Sequence, residues 1–173
     1  MFTFVRPVTK LAELKEAVAT YASRAAERLR RQGSVASSMQ TFIETSRFNN
    51  DPWSSNEITI QLDQPTAYTP ELVRVATASM ERIFRSNFNY KRAGVMLIGI
   101  CPDNKMQRGF WGREYSERDK RVMVVVDQIN SRFGKDTIKG AASGLKQCWQ
   151  MRSEMRSPRY TTSWEDLPTV LAR

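Results

Sequence analysis

The sequence predicts an α+β fold: a βαββαβ sheet with two helices on one face, followed by a small helical and irregular C-terminal module. Two observations carry this. Apolar residues recur at helical spacing in two stretches, and short β-branched or alternating stretches flank them in the order strand, helix, strand, strand, helix, strand. Such a sheet is largely antiparallel. With both helices on one side, its other face is open to solvent or to a ligand.

Each element has its own signal. Phe2 to Val8 reads as a strand stopped by Pro7, with Thr9 placed to cap the next helix. Leu11, Leu14, Val18, Tyr21, Ala22, Ala25 and Leu29 form that helix's apolar stripe, and Gly33 ends it. Glu27, Arg28, Arg30 and Arg31 read mostly as a solvated face, with cations favourably near the helix C-terminus. Val35 to Thr45 is a strand whose imperfect alternation leaves the face of Phe42 open, and "SRFNNDPWSSN" is a loop by composition. Ile58, Ile60 and Leu62 alternate with Thr59 and Gln61 as in a half-buried strand. "TPEL" starts the second helix with Thr69 as N-cap, and Leu72, Val75, Ala76, Met80, Ile83 and Phe84 face the core. Lys91 to Ile100 is the last strand.

After "CPDNK" a second unit begins. Ser116 with Asp119 resembles a capping box, and Val122, Val125, Val126 and Ile129 give a helix with one apolar side. "RFGKDTIKGAASG" reads as a turn, a short strand and another turn, and "LKQCWQMRSEM" as a short helix. The expected division is 1–101, a linker 102–115, and a module 116–173. That module is too small for a generous core, so it should pack on its neighbour or be partly mobile.

Composition narrows the function. Lys and Arg total 27 against 18 Asp and Glu, a formal charge of +9 in 173 residues, which attracts polyanions. There is no histidine, so the commonest general base and metal ligand is absent. Cys101 and Cys148 make neither a disulfide scaffold nor a zinc site. No P-loop occurs, and no acidic pair stands out as a metal site. No apolar run spans a bilayer and the N-terminus lacks a signal-peptide core, so a soluble, cytoplasmic protein without membrane contact is expected.

The stretches "RPVTKLAELKEAVATYASRAAERLRRQ", "TFIETSRFNNDPW", "YKRAGVML" and "WQMRSEMRSPRYTT", in this order and spacing, resemble the C-terminal part of UmuC-like Y-family DNA polymerases, the DNA polymerase V catalytic subunit type. The likeness covers nearly the whole chain. It implies that the βαββαβ unit is a little finger domain gripping template–primer DNA with its open sheet face, followed by a short module of undefined role. The palm, with its metal-binding carboxylates, has no counterpart in these residues. The chain is therefore expected to be non-catalytic and to hold no cofactor, Mg belonging to the parent polymerase.

The resemblance implies backbone contact by Lys91 and Arg92, whose cations at the start of a strand suit phosphates rather than base edges. Arg6 and Thr3 are second candidates, and Thr45, Ser46, Ser54, Ser55 and Asn56 could donate to phosphates or simply serve turn chemistry. "MQRGFWG" resembles a sliding-clamp peptide with Gln107, Phe110 and Trp111 as anchors. Arg108 departs from the usual leucine, and a loop with two tucked aromatics is the competing reading. The family also implies a UmuD-like accessory subunit and a RecA filament as partners. A protein-interaction module that binds DNA weakly is the alternative. An RNA-recognition motif is disfavoured, because its Lys/Arg-Gly-Phe/Tyr-Gly/Ala-Phe signature is missing.

Overall fold

A computed structural model describes residues 2–47, 52–105, 117–145, 147, 149, 157–158, 160–164 and 167. The described elements run β1 (Phe2–Val8), α1 (Leu11–Arg31), β2 (Ser34–Thr45), β3 (Ser55–Thr66), α2 (Thr69–Ile83), β4 (Tyr90–Pro102) and α3 (Glu117–Phe133). Strands β1 to β4 form one antiparallel sheet in the order β1-β4-β2-β3. Each helical connection therefore skips a strand: α1 carries the chain from β1 over β4 to β2, and α2 carries it from β3 over β2 to β4. The expected α+β architecture is present.

The core lies between the sheet and the two helices. Leu14, Ala17, Val18, Tyr21 and Ala22 of α1 and Leu72, Val75, Ala76 and Met80 of α2 meet Phe4, Met39, Ile43 and Ala93 of the sheet. Period-two alternation sends the intervening strand residues to the other side. Register fixes which ones. Phe42 pairs with Gly94 and Glu57, Gln40 with Met96 and Thr59, and Ser38 with Ile98 and Gln61, all on the face away from the helices. The Phe42 ring covers Gly94 so closely that a Cβ there would lie 2.5 Å from Cζ, which explains a glycine inside a central strand.

Several local expectations are corrected. Lys10, not Thr9, is the N-cap of α1, and no side chain caps that helix. Tyr68 is the N-cap of α2, so Thr69 lies inside the first turn with Pro70. Thr69 is diverted because its Oγ1 accepts a hydrogen bond from Arg30. No strand forms within 134–144: Ile138 has its N–H and C=O satisfied by the side-chain amide of Asn130, at 2.8 and 3.0 Å, instead of by a partner strand. The Ser116 cap and most of the "LKQCWQMRSEM" helix lie outside the described residues.

The second unit packs on the helix side of the sheet. Arg30 is not part of a solvated face. Its Nε and Nη2 each donate to Asp127 of α3 at 2.7 Å, and its Nη1 donates to the Ala67 carbonyl and to Thr69. Trp149 is 2% exposed and stands edge-on to Phe4 and Tyr21, at 6.1 and 5.5 Å between ring centroids. Gln147 adds a bond from its amide to Thr20 Oγ1. The small module thus borrows the core of its neighbour.

Candidate nucleic-acid interface

The open face has a charged end and an apolar middle. At the charged end, register aligns Thr3 of β1, Arg92 of β4, Glu44 of β2 and Ser55 of β3 in one row. The pairing of β2 with β4 shifts between Glu44 and Thr45, so Lys91 is the extra residue between Tyr90 and Arg92. Such a bulge re-aims side chains at a sheet end. Lys91 Nζ donates to the Val5 carbonyl at 3.1 Å, which holds the ammonium over the β1 edge. Arg92 Nη1 lies 3.7 Å from Glu44 Oε2, and Arg6 Nη2 donates to Glu13 at 3.1 Å. All three cations keep solvent contact, and such loose exposed pairs are worth little and exchange readily for a stronger anion.

The expected hydroxyl donors divide. Thr45 and Ser54 are buried at the base of the β2–β3 connection: the Ser54 N–H donates to Thr45 Oγ1 at 2.8 Å, and Thr45 Oγ1 donates to the Pro52 carbonyl at 3.2 Å. This is turn chemistry. Asn56 pairs with Ile43 on the core side and donates to the Ile83 carbonyl. Ser46 is half-buried just past β2. Thr3 and Ser55 alone of this set are exposed on the open face. Gln107, Phe110 and Trp111 lie outside the described residues.

The sequence reading missed Arg47 and Trp53. The Arg47 guanidinium stacks over the exposed Trp53 indole at 5.2 Å, at the same end of the sheet as Lys91 and Arg92. Both lie inside the stretch set aside as a loop. The usable signal was an arginine and a tryptophan on either side of the sequence Asn-Asp-Pro.

The middle of the face is different in kind. Met96 and Ile98 are exposed beside Gln40, Ser38 and Thr59, and Glu57 adds a second carboxylate next to Glu44. The positive charge available to a polyanion is therefore concentrated at one end. Among the described residues no three of Cys, Asp and Glu come together as a group that could hold a metal ion. No helix among them is long and apolar enough to cross a membrane.

An antiparallel sheet with helices on one face and cations gathered at one end of it defines an α+β domain. Residues 2–110 match the impB/mucB/samB family C-terminal domain, and residues 120–170 match a domain of unknown function, DUF4113. The chain belongs to the impB/mucB/samB family and corresponds to the C-terminal region of its UmuC-like members. It is 34% identical to Protein UmuC of Salmonella typhimurium over 97% of its own length and 40% of that protein's. It is 32% identical to Protein ImpB and 33% to Protein SamB of the same organism, over 96% and 97% of this chain. It spans about two-fifths of the length of these relatives, 40%, 39% and 40% in turn.

Proposed function

We propose that this chain is the DNA-gripping portion of an error-prone translesion polymerase of SOS mutagenesis, holding template–primer duplex by its backbone without sequence specificity. The observation that carries the reading is the cationic end of the sheet, where Lys91, Arg92 and Arg47 collect near the exposed hydroxyl of Thr3, while Arg6 is turned toward Glu13 of α1. Cations at a sheet end meet phosphates. The rest of the open face offers no arginine fork for guanine. The chain holds DNA and does not itself extend a primer, so a pure preparation supplied with magnesium should give no extension product; extension would overturn this division of labour. A UmuD-like subunit, a RecA filament and the sliding clamp are proposed partners on family grounds alone.

The test is duplex affinity measured over a range of salt. Changing Lys91 and Arg92 to Ala should weaken binding to all sequences alike and flatten the log K against log salt slope by about 0.9 per lost phosphate contact. Glu57→Gln, which removes a carboxylate from the same face, should tighten binding modestly. A second reading, a protein-recruiting surface with weak DNA binding, is favoured by exposed Met96 and Ile98. An unchanged salt slope in the double variant would select it.

A further inference from the structure

The sequence gives α3 one apolar side, yet the helix has apolar residues on two. Met123 and Val126 face the body of the protein, together with Asp127 and Asn130. Val122, Val125, Ile129 and Phe133 follow at intervals of three, four and four on the opposite half. Val122, Val125 and Phe133 are 48%, 51% and 67% exposed, and Ile129 is half-buried. Arg118 and Arg132 stand at the two ends of this row and Arg121 beside it, all exposed, with the Arg132 guanidinium over the Phe133 ring at 5.5 Å. Among the described residues no ion pair engages these three arginines. By helical spacing Asp119 and Asp127 share the Met123 side, so neither faces the outer half.

We propose that the outer half of α3 is a docking surface for one acidic amphipathic helix of a partner protein. The spacing of Val122, Val125 and Ile129 is that of an a-d-a seam, and β-branched side chains at such positions pack as knobs against a facing helix. Arg118 and Arg132, four residues before Val122 and three after Ile129, close the seam at its two ends, and Arg121 lies on its flank; there a partner's carboxylates form pairs that set its orientation. Charge complementarity is what chooses the occupant. A duplex would leave the apolar row unused. A lipid surface is served by a broad apolar face carrying Trp, Phe or Leu, whereas this row is one side chain wide and mostly valine and isoleucine. The surface is separate from the open face of the sheet and does not depend on DNA binding there.

The probe is a fluorescein-labelled synthetic helix with Leu and Ile at a and d and Glu at e and g, titrated with the full chain. Controls are a scramble of the same composition, the same helix with Lys replacing Glu, and vesicles of phosphatidylglycerol and phosphatidylcholine. The acidic helix should bind at least about tenfold more tightly than the scramble, because a few seam residues carry most of such an interface. Val125→Lys with Ile129→Lys keeps the positive field but removes the seam, and should cost about tenfold or more. Equal binding of helix and scramble, undiminished binding by the lysine variant, or vesicle binding without helix binding each overturns the proposal. If the lysine variant loses its thermal transition, Arg118→Glu with Arg121→Glu and Arg132→Glu decides. A switch of preference to the Lys helix sustains the docking surface, and an unchanged preference overturns it.

Discussion

Tyr21 shows how one buried side chain gives the fold a pH limit. It lies in the core under Trp149, and burial pushes its phenol from 10.0 up to about 12, against a smaller downward pull from the Arg24 charge. The folded state therefore holds this proton more tightly than the unfolded chain does. The contribution is complete below pH 10 and is lost as pH rises toward about 12, because the unfolded chain then releases a proton that the native state keeps. Urea midpoints of the native chain should fall across that window more steeply than those of Tyr21→Phe; parallel curves would place the lost stability elsewhere. Residue-scale facts of this kind are only half legible in sequence. Tyr21 falls in the helical stripe and reads as core at once. Phe42 does not, because its face is set by pairing with Gly94 across the sheet. Lys91 and Arg92 read as cations at a strand start, while the bulge that separates their directions depends on the register with β2.

At the scale of elements, the sheet and its two helices follow from periodicity, and the errors gather where a side chain reaches a distant part of the chain. Arg30 looks like one cation among four at a helix end. It becomes a clasp only through Asp127, which no local pattern connects to it. Another bond from the same guanidinium, Nη1 to Thr69 Oγ1, explains why Thr69 fails as a cap: Arg30 occupies its oxygen. Both charged groups are half-buried and paired bidentately, a geometry stronger than a surface ion pair. Asp127→Asn should therefore cost on the order of 1–3 kcal/mol of folding stability. Arg30→Met should cost more, since it also strips donors from the Ala67 carbonyl and Thr69. In a double-mutant cycle the two changes should be strongly non-additive, the loss of Asp127 mattering little once Arg30 is gone. Additive losses would mean that α3 is held by packing of Met123 and Val126 alone.

For the whole molecule, the question is whether the two matched regions, 2–110 and 120–170, are separate folding units. Sequence suggests a boundary, since the loop-like stretch after "CPDNK" divides them and the second is small. Packing argues for a single unit. Trp149 belongs to the second region but fills the first region's core against Phe4 and Tyr21, and Arg30, Thr20 and Arg24 each bond across to Asp127, Gln147 and Asp136. A region that supplies a buried indole to its neighbour cannot leave without opening a cavity there. Neither can it keep a core of its own once that indole is exposed. The full chain should consequently unfold in one calorimetric transition, with equal van't Hoff and calorimetric enthalpies. Trp149→Ala should lower the stability of that whole transition by about 3–5 kcal/mol. Trp149→Phe should be milder, because it keeps most of the ring volume and removes an indole N–H that has no partner among the described residues. Two resolved transitions, with Trp149→Ala moving only one of them, would show that the regions fold independently and that the shared core is a contact of convenience.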